Sequence, residues 1–516
     1  VACVTPVRRV AGREVITIDG LPDEVRRRWV DALVATGGSQ CGFCTPGIVM
    51  RLAANDAVGA GGAPPTRDRT DTALLAHLCR CTGWQTIEEA VDRLLSPATA
   101  TTPPTPPRDL AAAAVRAGLE GGVPQRVGPE VVLGRAGFAD DTAPADALVA
   151  VPWGPDRADG GDGGVDGGDG AAGAAGAAGS DGYVVAGSLA EARRAAGKVQ
   201  GRRTSLPLGH PVAIPPGEWA VTLATTWVEP AYVEPDASWC APGGEPASPV
   251  GNGGAFGGKT HSPVGADARR LADAHGRPVR VVWSREDVVR RGPKRPPVAG
   301  GADPDGRGVL RVAVDPDGVE TAVWDDVCAR VAAVAPHLTL EAVPVAGPPR
   351  SFDLRAAVWA EAAVLVAAAR LAAGNGAGEG VPRYDVPVEV VAPGGGRAVA
   401  RCLADGAIDL EVDGGPVLDQ VVLRSYAIGA THQALGWVRS EGIAVDDGGE
   451  VRDLTIRSFG VLAARAMPTV TVRVVEGDGR DPVNGSDAAF AAVAAARWLA
   501  DGLPSHWPTA RGGPPQ

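Results

Sequence analysis

Cys41-Gly-Phe-Cys-Thr-Pro-Gly47 and Leu78-Cys-Arg-Cys-Thr-Gly-Trp84 decide how this chain folds. Together they hold four thiols in two close pairs, Cys41/Cys44 and Cys79/Cys81. Thiolates one or two residues apart converge on a common point, so each pair can serve one metal or two adjacent irons. Soft sulfur ligands select iron–sulfur clusters or zinc. A zinc ribbon shows two CxxC knuckles in hairpins. Here the second pair is CxC, and both pairs open helices, whose N-terminal N–H groups favour an anionic cluster. The tight spacing points to a cluster before zinc, and to metal before a disulfide.

Working outward, the flanking sequence reads as helices. Asp23–Thr36 spaces Val25, Trp29, Leu33 and Val34 along one face. Pro46–Ala54 opens with a proline suited to an early helical position. Thr72–Leu78 is a short third helix. Thr86–Leu95 is a fourth, with Thr86 as N-cap and Glu89 completing a capping box. Four helices around two cysteine pairs make a small bundle.

The rest of the chain constrains function mainly by exclusion. At 516 residues it has room for three or more domains. Its net charge of −12 fits ordinary solubility, and lysines and arginines are spread along the chain, which argues against nucleic acid. Phe 6, Tyr 4 and Met 2 are few, so the core must rely on Val, Leu, Ala and the 12 Trp. The longest apolar run, Ala356–Ala373, contains Glu361 and Arg370 and reads as a buried helix rather than a membrane span. Val1–Val10 lacks the apolar stretch of an export signal, so a cytoplasmic location is the expectation. Cys240, Cys328 and Cys402 read as buried small apolar residues.

Beyond a polyproline-like linker at Pro97–Arg108 and a Gly/Asp/Ala-rich insertion at 159–182, expected to be disordered, strands and helices alternate. Helices are expected at Glu191–Lys198, Gly265–His275, Asp353–Ala373, Ser425–Glu441 and Ala488–Ala500. Strands are expected at Ala220–Thr226, Pro278–Trp283, Val386–Val391, Ala398–Leu403 and Val470–Val475. Leu310–Val314 and Thr321–Trp324 read as a hairpin around Asp315-Pro-Asp-Gly318. The class is α+β and multidomain: a small four-helix bundle, then mixed α/β domains.

The two cysteine stretches resemble the helical [2Fe-2S] domain of the xanthine dehydrogenase/aldehyde oxidase family, the molybdenum hydroxylases. That resemblance implies a [2Fe-2S] cluster on Cys41, Cys44, Cys79 and Cys81. It also implies that residues 1–20 are the tail of a plant-type ferredoxin domain. Cys3 then matches a fourth ligand whose three partners are absent, so the chain is truncated or that cluster is lost. The expected division continues with the [2Fe-2S] domain at 21–96, a linker at 97–126 and a hammerhead-like remnant at 127–210. Molybdopterin-binding regions follow at 211–345 and 346–512.

Gly251-Asn-Gly-Gly-Ala-Phe-Gly-Gly-Lys-Thr260 carries two readings. Gly253–Thr260 satisfies the P-loop pattern G-x-x-x-x-G-K-[ST]. A P-loop follows an apolar strand, whereas Ala241–Val250 is proline-rich and polar. The same stretch resembles the glycine loop that carries the molybdenum–pterin cofactor in the hydroxylases. By that resemblance Gly254, Phe256, Gly257, Gly258, Gln433 and Arg355 bind molybdopterin, and Tyr232-Val-Glu-Pro235 is a short companion motif. The family's general base is a glutamate. Val483-Asn-Gly-Ser-Asp-Ala-Ala-Phe490 places Ser486 there, leaving the base unassigned, with Asp487 as the adjacent carboxylate. Thr260 stands where purine-hydroxylating members carry Glu, which weakens a xanthine substrate.

The implied function is an oxidoreductase relaying electrons from a molybdenum centre through the cluster to a separate FAD-binding subunit. Its substrate would be a purine, an N-heterocycle or an aldehyde. The alternatives are a non-catalytic relay or assembly subunit with a degenerate molybdenum site, and a P-loop nucleotide-binding protein.

Overall fold

The computed structural model describes residues 7–58, 67–95, 108–153, 182–198, 201, 203–248, 254–373, 380–477 and 479–510. Cys3, the linker up to residue 107 and the insertion through residue 181 lie outside the described residues.

The N-terminal bundle forms as its apolar spacing requires. Helix Asp23–Thr36 buries Trp29, Val30, Ala32 and Leu33. It stops at Gly37, whose φ of 71° is the left-handed conformation glycine adopts without strain. A Cβ there would also lie 2.9 Å from Ser425 Cβ, so the helix end packs on the C-terminal half of the chain. Helix Thr45–Val58 starts at the residue after Cys44. The third helix is Arg67–Leu74, earlier than expected, because the chain turns at Leu74–His77 to present Cys79. The fourth, Gln85–Leu95, begins one residue before Thr86. Thr86 is therefore inside the helix rather than its cap, and its hydroxyl is buried without a hydrogen-bond partner.

Three four-stranded sheets make up the β structure among the described residues. Leu148–Pro152 pairs antiparallel with Tyr183–Ala186 and parallel with Val279–Val282, which in turn pairs with Ala237–Cys240. This one sheet therefore draws strands from both sides of residue 210. The second sheet joins Val221–Ala224, Val298–Ala302, Gly308–Val314 and Leu338–Pro344. The expected hairpin at Asp315–Gly318 is not formed. The turn exists, with Gly318 N–H bonded to Asp315 O at 2.8 Å, but Thr321–Val334 is a helix. Val327 and Val331, four residues apart, bury one helical face, and the helix returns the chain to a parallel strand.

The third sheet orders Val470–Val475, Ile408–Asp413, Arg397–Cys402 and Val388–Val391. It packs on helix Ser486–Ala500, and helix Gln420–Arg439 packs on that helix in turn. Alanine at most buried positions of Ser486–Ala500 lets the two helices approach closely, while Trp437 stacks on Phe490 at 5.1 Å. Trp498 and Trp507 extend this aromatic group, the expected substitute for scarce phenylalanine. Of the three cysteines read as core, Cys240 and Cys402 are buried and Cys328 is half-buried.

The long helix expected from Asp353 starts only at Trp359. Ala356 and Val358 hold φ of 54° and 71°, which an α-helix excludes and a β-branched residue rarely adopts. Glu361 holds this segment: its carboxylate accepts from Val358 N at 2.8 Å and pairs with Arg295 at 2.7 Å.

Inside helix Gln420–Arg439, His432 is fully buried, with Nε2 donating to Leu462 O at 3.0 Å. Burial, aided by the Arg80 charge, lowers its pKa from 6.5 to about 4. The folded state therefore holds this ring neutral, and the stability it contributes is present above pH 6.5 and lost as pH falls towards 4. The expected loss is about 3 kcal/mol. Denaturant midpoints between pH 7 and 4 should fall less steeply in His432→Gln than in the parent. Identical slopes would remove His432 from the acid sensitivity.

Candidate cofactor site

The cysteines converge as their spacing requires. Cys79 and Cys81 lie in the loop between the third and fourth helices, and both are buried. Cys81 Sγ stands 3.6 Å from Cys41 Sγ, and Cys44 faces Cys79. Each contact thus joins one cysteine of the CxxC pair to one of the CxC pair. Two thiolates on one tetrahedral metal, at metal–sulfur distances of about 2.3 Å, sit about 3.7 Å apart. The 3.6 Å contact has that spacing. Among the described residues no three or more metal-binding side chains surround a single point. Two crossed pairs suit a two-iron centre better than one zinc ion.

The thiols influence one another. Contact with Cys44, then the Thr82 hydroxyl at 3.1 Å, brings Cys79 down to about 6, while contact with Cys79 and burial push Cys44 well above the usual thiol range. Cys81 is raised in the same way by Cys41 and burial.

The Cys79–Trp84 loop is pressed into the C-terminal half of the protein. Gly429 has no room for a side chain, since a Cβ would lie 1.7 Å from Cys81 O. Gly83 meets Ile428 O similarly at 2.7 Å. Gln433 Nε2 donates to Arg80 O at 3.0 Å. The Arg80 guanidinium donates twice to Glu441, at 2.5 and 2.7 Å, and through Nε to Pro230 O at 3.0 Å. Trp84 Nε1 donates to Leu462 O at 3.3 Å.

Arg80, Phe256, Arg355, Gln433, Glu441 and Phe490 line a cleft beside this loop. The structure therefore brings Phe256, Arg355 and Gln433 together, although the sequence separates them widely. Arg355 is their hub. Its Nη1 donates to Gln433 Oε1 at 3.2 Å, Nη2 to Ser486 Oγ at 2.8 Å and Nε to Asp487 Oδ1 at 2.9 Å. Its guanidinium lies 3.6 Å from the Phe256 ring centre. Ser486 and Asp487 begin the helix Ser486–Ala500 and bond the same arginine.

The glycine loop is held from within. Gly254 and Gly257 have φ of 83° and 93°, and a Cβ would lie 2.4 Å from Arg80 Cβ at the first and 1.9 Å from Asp353 O at the second. Both are thus fixed by close approach of protein to protein. Gly258 is also tight, against Tyr232 at 3.1 Å. Lys259 is buried and bonded to Glu234 at 2.6 Å, which joins the loop to the Tyr232–Pro235 motif. A P-loop lysine must reach phosphate, and this one is committed to a buried carboxylate. Thr260 is exposed.

Three roles escaped sequence reasoning. Glu120 caps the helix at Ser486, accepting from Ser486 N at 2.8 Å while paired with buried Arg116. Burial raises its pKa. Glu441 holds Arg80. Gln40, beside Cys41, donates to Ser425 Oγ at 2.9 Å and leaves its own Oε1 buried and without a partner. It lines a second hollow with Arg108, Val422, Ser425 and Tyr426. The Tyr426 ring meets Phe256 edge-on at 6.1 Å between the two hollows. Its place directly before Cys41 was the only sequence signal for Gln40.

Residues 17–92 match the family model described as "[2Fe-2S] binding domain". Residues 17–92 are a [2Fe-2S] binding domain of the type found in xanthine dehydrogenases and aldehyde oxidases. Xanthine dehydrogenase of Emericella nidulans is 40% identical over 100 residues, 19% of this chain and 7% of that enzyme. Aldehyde oxidase 1 of Oryctolagus cuniculus is 38% identical over 91 residues, 17% of this chain and 7% of that enzyme. The matched stretch is thus under a tenth of the length of either relative. Beyond the [2Fe-2S] domain, the whole chain shares the fold of the aldehyde oxidoreductase from Desulfovibrio gigas. The TM-score is 0.66 at 14% identity, covering 99% of this chain and 92% of that one. No described helix is long and apolar enough to cross a membrane.

Proposed function

We propose that this protein is an electron-relaying oxidoreductase chain, passing electrons between a molybdenum–pterin centre in the cleft and a [2Fe-2S] cluster on Cys41, Cys44, Cys79 and Cys81. One observation carries this reading: the peptide between two cluster ligands is itself a wall of the cleft, with Arg80 O bonded to Gln433 and Arg80 Cβ under Gly254. A group bound there would touch the cluster loop directly. The buried, unpartnered Gln40 Oε1 lines the neighbouring hollow, past the Tyr426–Phe256 contact, and would accept from the N–H groups of a pterin long enough to reach it. Gln40, Gln433 and the loop at Gly254, Phe256, Gly257 and Gly258 would hold it. When bound, it would supply a metal centre able to take two electrons from a substrate. Electrons would leave the cluster for a separate flavin-bearing chain. The division into a [2Fe-2S] domain at 21–96, a hammerhead-like part at 127–210 and two pterin-binding regions at 211–345 and 346–512 belongs to the same proposal, with the first sheet joining 127–210 to 211–345.

Ser486 favours a second reading, in which the chain relays electrons without catalysing hydroxylation. A serine bonded to a guanidinium is a poor base. Both readings hold the cluster in common, and metal analysis separates them. Two irons with one molybdenum per chain is the expected result for the first reading. Iron without molybdenum supports the second, and zinc without iron removes both.

A further inference from the structure

We infer that the buried Arg80–Glu441 ion pair sets the reduction potential of the cluster, with Arg80 and Glu441 acting as positioning residues of opposite electrostatic effect. The inference rests on the cluster assignment above. Arg80 stands between the ligands Cys79 and Cys81, so its charge is tied to the ligand loop itself. Its side chain cannot swing away. Glu441 takes two of its bonds, Pro230 O takes a third, and Gly254 closes over its Cβ. Only 6% of the Arg80 side chain and 2% of the Glu441 side chain are exposed, so salt and water screen the pair weakly. An arginine does not lose its proton in such a site. Its charge is already felt nearby, where it helps keep His432 neutral.

Reduction adds one electron, and therefore one negative charge, to the cluster. Nearby fixed charge and hydrogen bonding are among the protein's means of setting such a potential. Arg80 favours the reduced state and Glu441 opposes it. The other buried cations lining the cleft are neutralised separately, Arg295 by Glu361 and Arg355 by Asp487. Arg80 and Glu441 are thus the pair whose balance the cluster senses.

The test is a dithionite titration with mediator dyes, following the signal of the reduced cluster by electron paramagnetic resonance in the full chain. Dithionite supplies the electron. Glu441→Gln should raise the midpoint potential and Arg80→Gln should lower it. All variants are measured at the same pH. The double variant should return towards the parent, and Arg80→Lys, which keeps the charge, should stay near it. Should Glu441→Gln fail to retain iron, Glu441→Asp withdraws the same charge slightly and should raise the potential by a smaller step. A purely structural tie would shift both single variants the same way or leave both unchanged, and either result overturns the inference. Absence of iron from the parent protein would instead remove the cluster assignment.

Discussion

Replacing Cys79 by serine is expected to cost the protein most or all of its [2Fe-2S] cluster. The crossed arrangement makes this loss larger than a single missing ligand suggests. Cys79 faces Cys44 across the site while Cys41 faces Cys81, so each iron would draw on both cysteine motifs. Losing Cys79 would leave one iron with a single thiolate and also loosen the bond between the loop and the first helix pair. Serine offers a harder oxygen that binds iron less well and shifts its potential. Contact with Cys44 lowers the Cys79 thiol while raising that of Cys44, so the two act as a pair. Iron and acid-labile sulfide per chain should fall together, with loss of the reduced-state paramagnetic signal. Unchanged iron content and spectrum in Cys79→Ser would show that the ligand set is wrong. Cys402→Ser, in the third sheet and in a different core from the cysteine loop, is the control and should keep the cluster.

Ser486→Glu is expected to raise hydroxylation of aldehydes or N-heterocycles by about 10²–10⁴-fold in protein that holds molybdenum, the range a positioned general base supplies. The parent should be correspondingly slow. Ser486 N and Gly485 N are already bonded to Glu120, so the helix start is fixed and the new side chain would project from an anchored backbone. The new carboxylate would enter the reach of Arg355, which now spends one bond on Ser486 Oγ. That arginine would lower the carboxylate's pKa and keep it ionised near neutrality. A gain absent from a variant with full molybdenum content would mean that more than the base has been lost. High parent activity that disappears in Asp487→Asn would place the base one residue along, where the carboxylate already bonds Arg355 at 2.9 Å.

What could be read from the sequence divides by distance along the chain. The four cysteines proposed as ligands stand out in the sequence because each pair is local and needs only its own loop. The helices Asp23–Thr36 and Val264–His275 were legible for the same reason, their apolar residues repeating at helical intervals. Glu120, Glu441 and Gln40 were not. Their roles come from partners hundreds of residues away, and nothing beside them in sequence marks a cap, an ion pair or an unfilled acceptor. Asp315-Pro-Asp-Gly318 misled because a turn, even a correct one, does not dictate the type of the next element. The spacing of Val327 and Val331 was the stronger signal. The run from Asp353 misled because alanine-rich sequence looks helical. Only the Glu361 carboxylate on Val358 N reveals why the chain stays irregular there.

The contact between Gln40 and Ser425 spans 385 positions of sequence, and that between Arg80 and Glu441 spans 361. During synthesis the N-terminal bundle leaves the ribosome long before the helix that seals it. Closing so large a loop is slow relative to forming a small helical bundle. Were the bundle to fold first, the cysteine loop of a nascent chain would pass through an interval with its outer face open. Iron and sulfide delivered in that interval would then be sealed in by the close approach of Gly429 to Cys81 O.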